Sequence, residues 1–139
     1  MPVVLKEFRV STRGFTDIID VTDKVRAALS ESGIKSGLAT VCVAGSTAGI
    51  STIEYESGVV RDLKDAIERI APSNIPYNHD MRWGDGNGFS HVRAALVGSS
   101  FCVPFDSGHL VLGTWQQIVL LDFDNRPRDR RVFVQIVGE

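Results

Sequence analysis

The apolar positions of this chain change their period along its length, and each period predicts an element. From Val3 to Val10, β-branched residues are mixed with Lys6, Glu7 and Arg9, a pattern that suits a strand with one face in water. Thr22 then reads as a helix N-cap with Asp23 in the first turn. Val25, Ala28 and Leu29 follow at helical spacing, and Gly33 supplies the stop. Leu38 to Val43 reads as a buried strand. It runs into the small-residue loop Ala44-Gly45-Ser46-Thr47-Ala48-Gly49, and a second strand follows over Ile50 to Tyr55. The clearest helix spans Ser57 to Ile70, with Ser57 as cap and Val59, Leu63, Ile67 and Ile70 as its apolar stripe. Arg61, Asp62, Asp65, Glu68 and Arg69 fall on the other side as a solvated face, and Pro72 closes the helix.

From Pro72 to Ser90 no hydrophobic period survives. The segment carries Tyr77, His79, Asp80, Arg82, Trp83, Asp85 and Asn87, with glycines at 84, 86 and 88, and reads as a functional loop rather than a flexible linker. Ser90 then caps a short helix from His91 to Leu96, with Val92, Ala95 and Leu96 facing inward. Strands over Ser100–Phe105 and His109–Leu112 are joined by the turn Asp106-Ser107-Gly108. A strand from Thr114 to Phe123 follows a bulge at Gly113, Asp124 to Pro127 turns the chain, and Arg131 to Val137 returns as the last strand. Some seven strands with two or three helices make an α+β pattern in a single domain over residues 1–139.

Composition narrows the function classes. With 15 Lys and Arg against 17 Asp and Glu, the net charge is −2, which argues against a nucleic-acid binder. The longest strongly apolar run, Ile118-Val119-Leu120-Leu121, is far too short to span a bilayer, and the charges near the N-terminus break any signal-peptide core. A soluble, cytoplasmic domain is therefore expected. Cys42 and Cys102 sit in apolar triplets and read as buried small hydrophobes rather than ligands.

There is no P-loop, no Gly-x-Gly-x-x-Gly, no His-Glu-x-x-His, no Cys-x-x-Cys and no Gly-x-Ser-x-Gly. What remains is scattered. His79 and His91 bracket the loop and either share one borderline cation with Asp80, Asp85 or Glu54, or each hydrogen-bond locally. Gly45-Ser46-Thr47 is either a backbone cradle for a phosphate or carboxylate, or a plain tight turn. Arg126, Arg128, Arg130 and Arg131 crowd into six residues; they serve phosphate recognition or pair with Asp122, Asp124 and Asp129. Trp115 and Gln116 suit either a core strand or a pocket wall, and His109, after a turn glycine, has no assigned role.

The block Gly108-His109-Leu110-Val111-Leu112-Gly113-Thr114-Trp115-Gln116 resembles the Gly-Thr-Trp-Gln block of the YjbQ family, uncharacterised protein family 0047. Phe123 to Arg128, Val134-Gln135-Ile136, Ser46-Thr47-Ala48 with Glu54, Tyr77-x-His79 and Asn87-x-x-x-His91 follow the same family pattern, from Leu38 onward. Two positions depart from it: many members carry His where Gly45 and Phe89 stand here. The resemblance implies a mixed, mostly antiparallel sheet, assembly as a homotrimer, and secondary thiamine-phosphate synthase-like activity that joins a pyrimidine diphosphate to a thiazole phosphate. On that reading Glu54, His91 and Arg126 are catalytic. Gly45, Ser46, Thr47, Asn87, Thr114, Trp115, Gln116 and Arg128 bind a small phosphorylated metabolite, and His79 with His91 holds a divalent metal, Mg or Zn. The alternative is a non-catalytic protein that binds a metal or a phosphometabolite.

Overall fold

The computed structural model describes residues 1–139, in which eight strands and four helices follow one another. In chain order they are β1 (Val3–Thr12), β2 (Asp17–Asp20), α1 (Thr22–Ser32), β3 (Gly37–Val43), β4 (Ala48–Ile53) and α2 (Ser57–Ile70). Then come α3 (Asn78–Trp83), α4 (Gly88–Val97), β5 (Ser100–Asp106), β6 (His109–Leu110), β7 (Gln117–Asp122) and β8 (Arg128–Gly138). This is the α+β class expected from the pattern, with the strands divided between two sheets. One runs β1-β8-β3-β5-β6 and the other β2-β7-β4, and each neighbouring pair is antiparallel.

The apolar run in β7 explains the layering. A strand that is apolar at every position must bury both faces. Ile118 and Leu120 join Ile50 and the inner face of the large sheet (Val41, Val43, Val103, Val132, Val134, Ile136), with Val25 and Leu29 of α1 closing one end. Val119 and Leu121 point the other way and pack with Ile18, Phe123, Ile67 of α2 and Ala94 of α4. The small sheet is thus sandwiched between the large sheet and two helices. No helix is long and apolar enough to cross a membrane.

Several local expectations shift. Val21, not Thr22, is the cap position of α1, and the Asp20 carboxylate accepts from both Thr22 N (2.9 Å) and Thr22 Oγ1 (2.6 Å). The strand that delivers Asp20 is only four residues long, too short to show a period. Helix α2 has the expected bounds, but its cap is Glu56, whose carboxylate accepts from the Gly58 and Val59 amides. Those two bonds hold the Glu56 carboxyl below its ordinary range. Ile70 of the expected stripe is exposed, because the helix buries itself chiefly through Ile67.

The cysteines do not lie in the core. Alternation along β3 and β5 turns Val41, Val43 and Val103 inward, so Cys42 is half-buried and Cys102 exposed on the outer face. The strand expected from Thr114 starts only at Gln117; Thr114 and Trp115 form a turn, and Trp115 is 72% exposed.

The irregular tract holds α3, and α4 begins at Gly88, before the Ser90 cap that the pattern suggests. Its inward face is Phe89, Ser90, Arg93 and Ala94; Val92, Ala95 and Leu96 are exposed. The reversal has a physical cause in Arg93. Its guanidinium is buried because it donates to Ala71 O (2.9 Å), Thr16 Oγ1 (2.9 Å) and the Glu68 carboxylate, over the Phe89 ring. A charge that polarity patterns place in water is satisfied inside.

Candidate functional site

The C-terminal end of β7 and the start of β8 carry a buried ionic network. Arg130 Nε and Nη2 donate to the two oxygens of Asp122 at 2.7 and 2.9 Å, a bidentate pair, and Nη2 also reaches Thr47 Oγ1 at 2.6 Å. Thr12 Oγ1 donates to Asp122 Oδ2 (2.6 Å) and Thr47 Oγ1 to Asp124 Oδ2 (2.9 Å); Arg128 grips Asp124 through Nε at 3.0 Å and Nη2 at 2.9 Å. Both carboxylates are fully buried. Burial pushes the Asp124 carboxyl up, but the Thr47 and Arg128 hydrogen bonds outweigh it and hold the group below its ordinary range. The arginine crowd therefore resolves largely as pairing. Arg131 pairs with Glu7 and Arg9 with Asp129 on the surface. Arg126 is exposed and its guanidinium has no carboxylate partner.

This network anchors the histidine loop. Asn125, in the turn after Asp124, donates through Nδ2 to Asp85 O (2.8 Å), and its own N–H donates to Asn87 Oδ1 (3.1 Å). Asn87 is buried at the N-cap of α4, and Ser90 Oγ sits between Asn87 Oδ1 and the Phe123 carbonyl. Asn87 is thus a framework residue that fixes where α4 starts. Asp80 Oδ1 accepts from Gly88 N at 2.9 Å, which folds α3 back onto α4. Gly88 needs its missing side chain there, since a Cβ would lie 2.6 Å from Tyr77 Cβ.

The result is a close constellation. The His79 and His91 rings lie 4.4 Å apart, centroid to centroid. His79 Nδ1 is 3.6 Å from Asp80 Oδ1 and 3.4 Å from Asp85 Oδ1, yet makes no hydrogen bond and is the one buried side-chain polar atom without a partner. Ligand atoms of His79, Asp80 and Asp85 all fall within 4.8 Å of one another. One imidazole and two carboxylates converging with an orphaned nitrogen form a donor set suited to a divalent cation; the His91 ring lies beside this group, whose three converging ligand atoms do not include its own. His91 also faces a cleft shared with Gly45, Ser46 and Ser99.

Glu54 does not join this group. It follows β4, whereas Gly45 and Ser46 precede it, and six strand residues span about 20 Å. The carboxylates beside His79 are Asp80 and Asp85 instead. Glu54 lines a separate cleft with Asp20, Tyr55, Glu56, Trp115 and Gln117. Gln116 locks the turn beneath Trp115, accepting from Gly113 N (3.0 Å) and donating to Thr52 Oγ1 (3.2 Å); Thr114 is exposed on the same turn. Thr47 is buried in the ionic network, while Gly45 and Ser46 are exposed. Arg130 and Arg93, the two buried arginines, carry no periodic signal that would mark them in sequence.

Comparison with known proteins agrees with this geometry at the level of fold and family. The family model described as UPF0047 protein YjbQ-like matches residues 6–139. A UPF0047 protein of Methanothermobacter thermautotrophicus is 36% identical over 139 residues, covering 100% of this chain and 95% of its own length. The UPF0047 protein YugU of Bacillus subtilis is 35% identical, covering 97% of this chain and 100% of its own. Among solved structures, a YbjQ-like protein of unknown function from Sulfolobus solfataricus superimposes with a TM-score of 0.94 at 33% identity, covering 99% of each chain.

Proposed function

The chain belongs to the UPF0047 YjbQ-like family, and from that membership we propose that it is an enzyme acting on a small phosphorylated heterocyclic metabolite at a divalent-metal centre. The observation that carries the reading is the 4.4 Å contact of His79 with His91 beside Asp80 and Asp85, with His79 Nδ1 left unpartnered. His79, Asp80, Asp85 and His91 would hold the ion, and the imidazoles favour a zinc-like cation over magnesium, which prefers oxygen ligands. Bound there, the ion supplies charge neutralisation to a phosphorylated leaving group. The residues of the chain do the rest. His91 joins this cluster to the Gly45-Ser46 cleft, and Arg126 offers an uncommitted guanidinium at the same end of the fold.

The concrete reaction is secondary thiamine-phosphate synthesis. In it the carbon–oxygen bond to the pyrimidine's diphosphate breaks, its electron pair leaves on pyrophosphate, and the thiazole nitrogen forms the new bond. Supplying purified protein with both precursors and either Mg²⁺ or Zn²⁺ tests this. His91→Ala is expected to lower turnover by about 100-fold or more, and Arg126→Ala by less. Wild-type turnover no faster than either variant overturns the enzyme reading. The position of Glu54, at the far end of β4 from the histidines, favours the second reading, a non-catalytic metal- or phosphometabolite-binding protein.

Self-association as a homotrimer belongs to the same proposal, as do a cytoplasmic location and the absence of nucleic-acid and membrane partners. The outer face of the large sheet supports it: Val3, Val137, Leu38 and Pro104 align across four strands, with Leu5 and Cys102 in the next row. Val3, Leu5 and Leu38 are all more than half exposed. A contact between subunits would cover this face. Light scattering at micromolar concentration should give three times the 15.2 kDa subunit mass; one subunit mass would reject the trimer.

A further inference from the structure

We infer that the cleft between the Phe15-Thr16 turn and α2 binds an uncharged, aminated nitrogen heterocycle, stacked on the Phe15 ring. It is a second ligand site: no residue lining it belongs to the histidine cluster or to the Gly45-Ser46 cleft. The inference therefore stands apart from the metal centre. The cleft measures about 630 Å³, within the range that holds small ligands, and Lys64, Asp65, Gly86, Phe89 and Asn125 line it with the turn.

Phe15 is the starting point. Gly14, Phe15 and Thr16 follow one another with φ of 77°, 54° and 61°. Glycine accepts such a backbone freely, but two successive L residues, one of them β-branched, occupy it only under constraint. Three hydrogen bonds supply that constraint. Phe15 N donates to Asp124 O (2.8 Å), Thr16 Oγ1 accepts from the buried Arg93 Nη1 (2.9 Å), and Arg13 N donates to Asp17 Oδ2 (2.8 Å). What the turn delivers is a phenylalanine ring 66% exposed beside the cleft. That ring belongs to neither apolar cluster, and glycine would suit its backbone better. Neither packing nor conformation calls for an aromatic here, so a stacking surface is the role left to it.

The rim sets the ligand's chemistry. A lysine and a glutamate four residues apart on a helix ordinarily pair, yet the Glu68 carboxylate is taken by Ser73 and Arg93. Lys64 is left half-buried with no carboxylate partner, and Asp65 has no cation partner. Asn125 commits its Nδ2 to Asp85 O, while its Oδ1 accepts nothing. One free ammonium and two free acceptors match a planar edge that carries both a ring acceptor and an amino donor. The charges on the cleft cancel, Lys64 and Arg93 against Asp65 and Glu68, which favours a neutral ligand over a phosphate.

The test adds cytosine to the metal-free protein and follows amide chemical shifts, with benzyl alcohol as a ring that lacks the heteroatom edge. Saturable shifts at Phe15, Lys64, Gly86 and Asn125 with cytosine, absent with benzyl alcohol, are expected. Phe15→Gly should weaken cytosine binding by about 10-fold or more, because stacking on the aromatic ring is lost. The same variant should leave Tm unchanged or higher, because the strained turn is relieved. Phe15→Trp should keep the affinity, and Lys64→Met should weaken it several-fold at unchanged Tm. No saturable shift, equal shifts with both probes, or unchanged affinity in Phe15→Gly would each overturn the proposal. So would a fall in the Tm of Phe15→Gly, which marks the ring as structural, or a smaller mass by light scattering, which seats it on another copy. Turnover is not read at any step, so failure here leaves the enzyme reading standing.

Discussion

Arg130→Met is expected to destabilise the protein by about 3–5 kcal/mol, the largest effect of any single substitution considered. The reason is asymmetry rather than the strength of the pair. Removing the guanidinium leaves Asp122, fully buried, with only Thr12 Oγ1 and the Asp124 amide as donors, and it strips Thr47 of a partner. An ionised carboxylate cannot stay in such a place, so the network must take up a proton or open to water. For a chain of this size the loss corresponds to a fall in Tm of roughly 10–17 °C. Removing both charges in Arg130→Met/Asp122→Leu should recover much of it, because no buried charge is then stranded. Urea unfolding of the two variants and wild type, at one fixed protein concentration, measures both steps. A loss under about 1 kcal/mol in the single variant would mean that the network is solvated rather than buried.

The second large effect falls on metal affinity. His79→Ala and His91→Ala should each weaken zinc binding by about 10-fold or more, read by calorimetric titration, while stability changes by about 1 kcal/mol or less. The two rings meet at the surface end of α3 and α4, outside both apolar clusters. Glu54→Gln serves as the contrast and should leave zinc affinity unchanged, since Glu54 lies at the other end of β4. Equal losses in all three variants would point to unfolding rather than ligation.

How much of this was legible in the sequence depended on whether a residue's role is periodic. Helix α2, the β5–β6 hairpin and the buried β7 run all announce themselves, because burial on one face or both imposes a period. The hairpin turn shows it at residue level: Ser107 and Gly108 both have positive φ, as the tight turn requires. Arg93 breaks the rule. Polarity alone places it outside and turns the face of α4 the wrong way, whereas three specific acceptors hold it inside. Trp115 fails in the opposite direction, since an aromatic next to a strand is exposed on a turn pinned by Gln116.

The site was legible in parts. Residue types and an aperiodic tract pick out His79 and His91, but their contact depends on Asp80 folding α3 back through Gly88, which spacing cannot show. Four crowded arginines leave pairing and phosphate recognition equally open; the fold commits Arg128, Arg130 and Arg131 to carboxylates and leaves only Arg126 exposed without a carboxylate partner.

The most direct measurement is a crystal structure of the protein soaked in zinc, with anomalous data collected at the zinc edge. The expected result is one peak about 2.1 Å from an imidazole nitrogen of both His79 and His91, with an Asp80 or Asp85 oxygen completing the set. A peak held by other residues, or no peak between the two rings at millimolar zinc, would contradict the metal centre on which the proposed function stands.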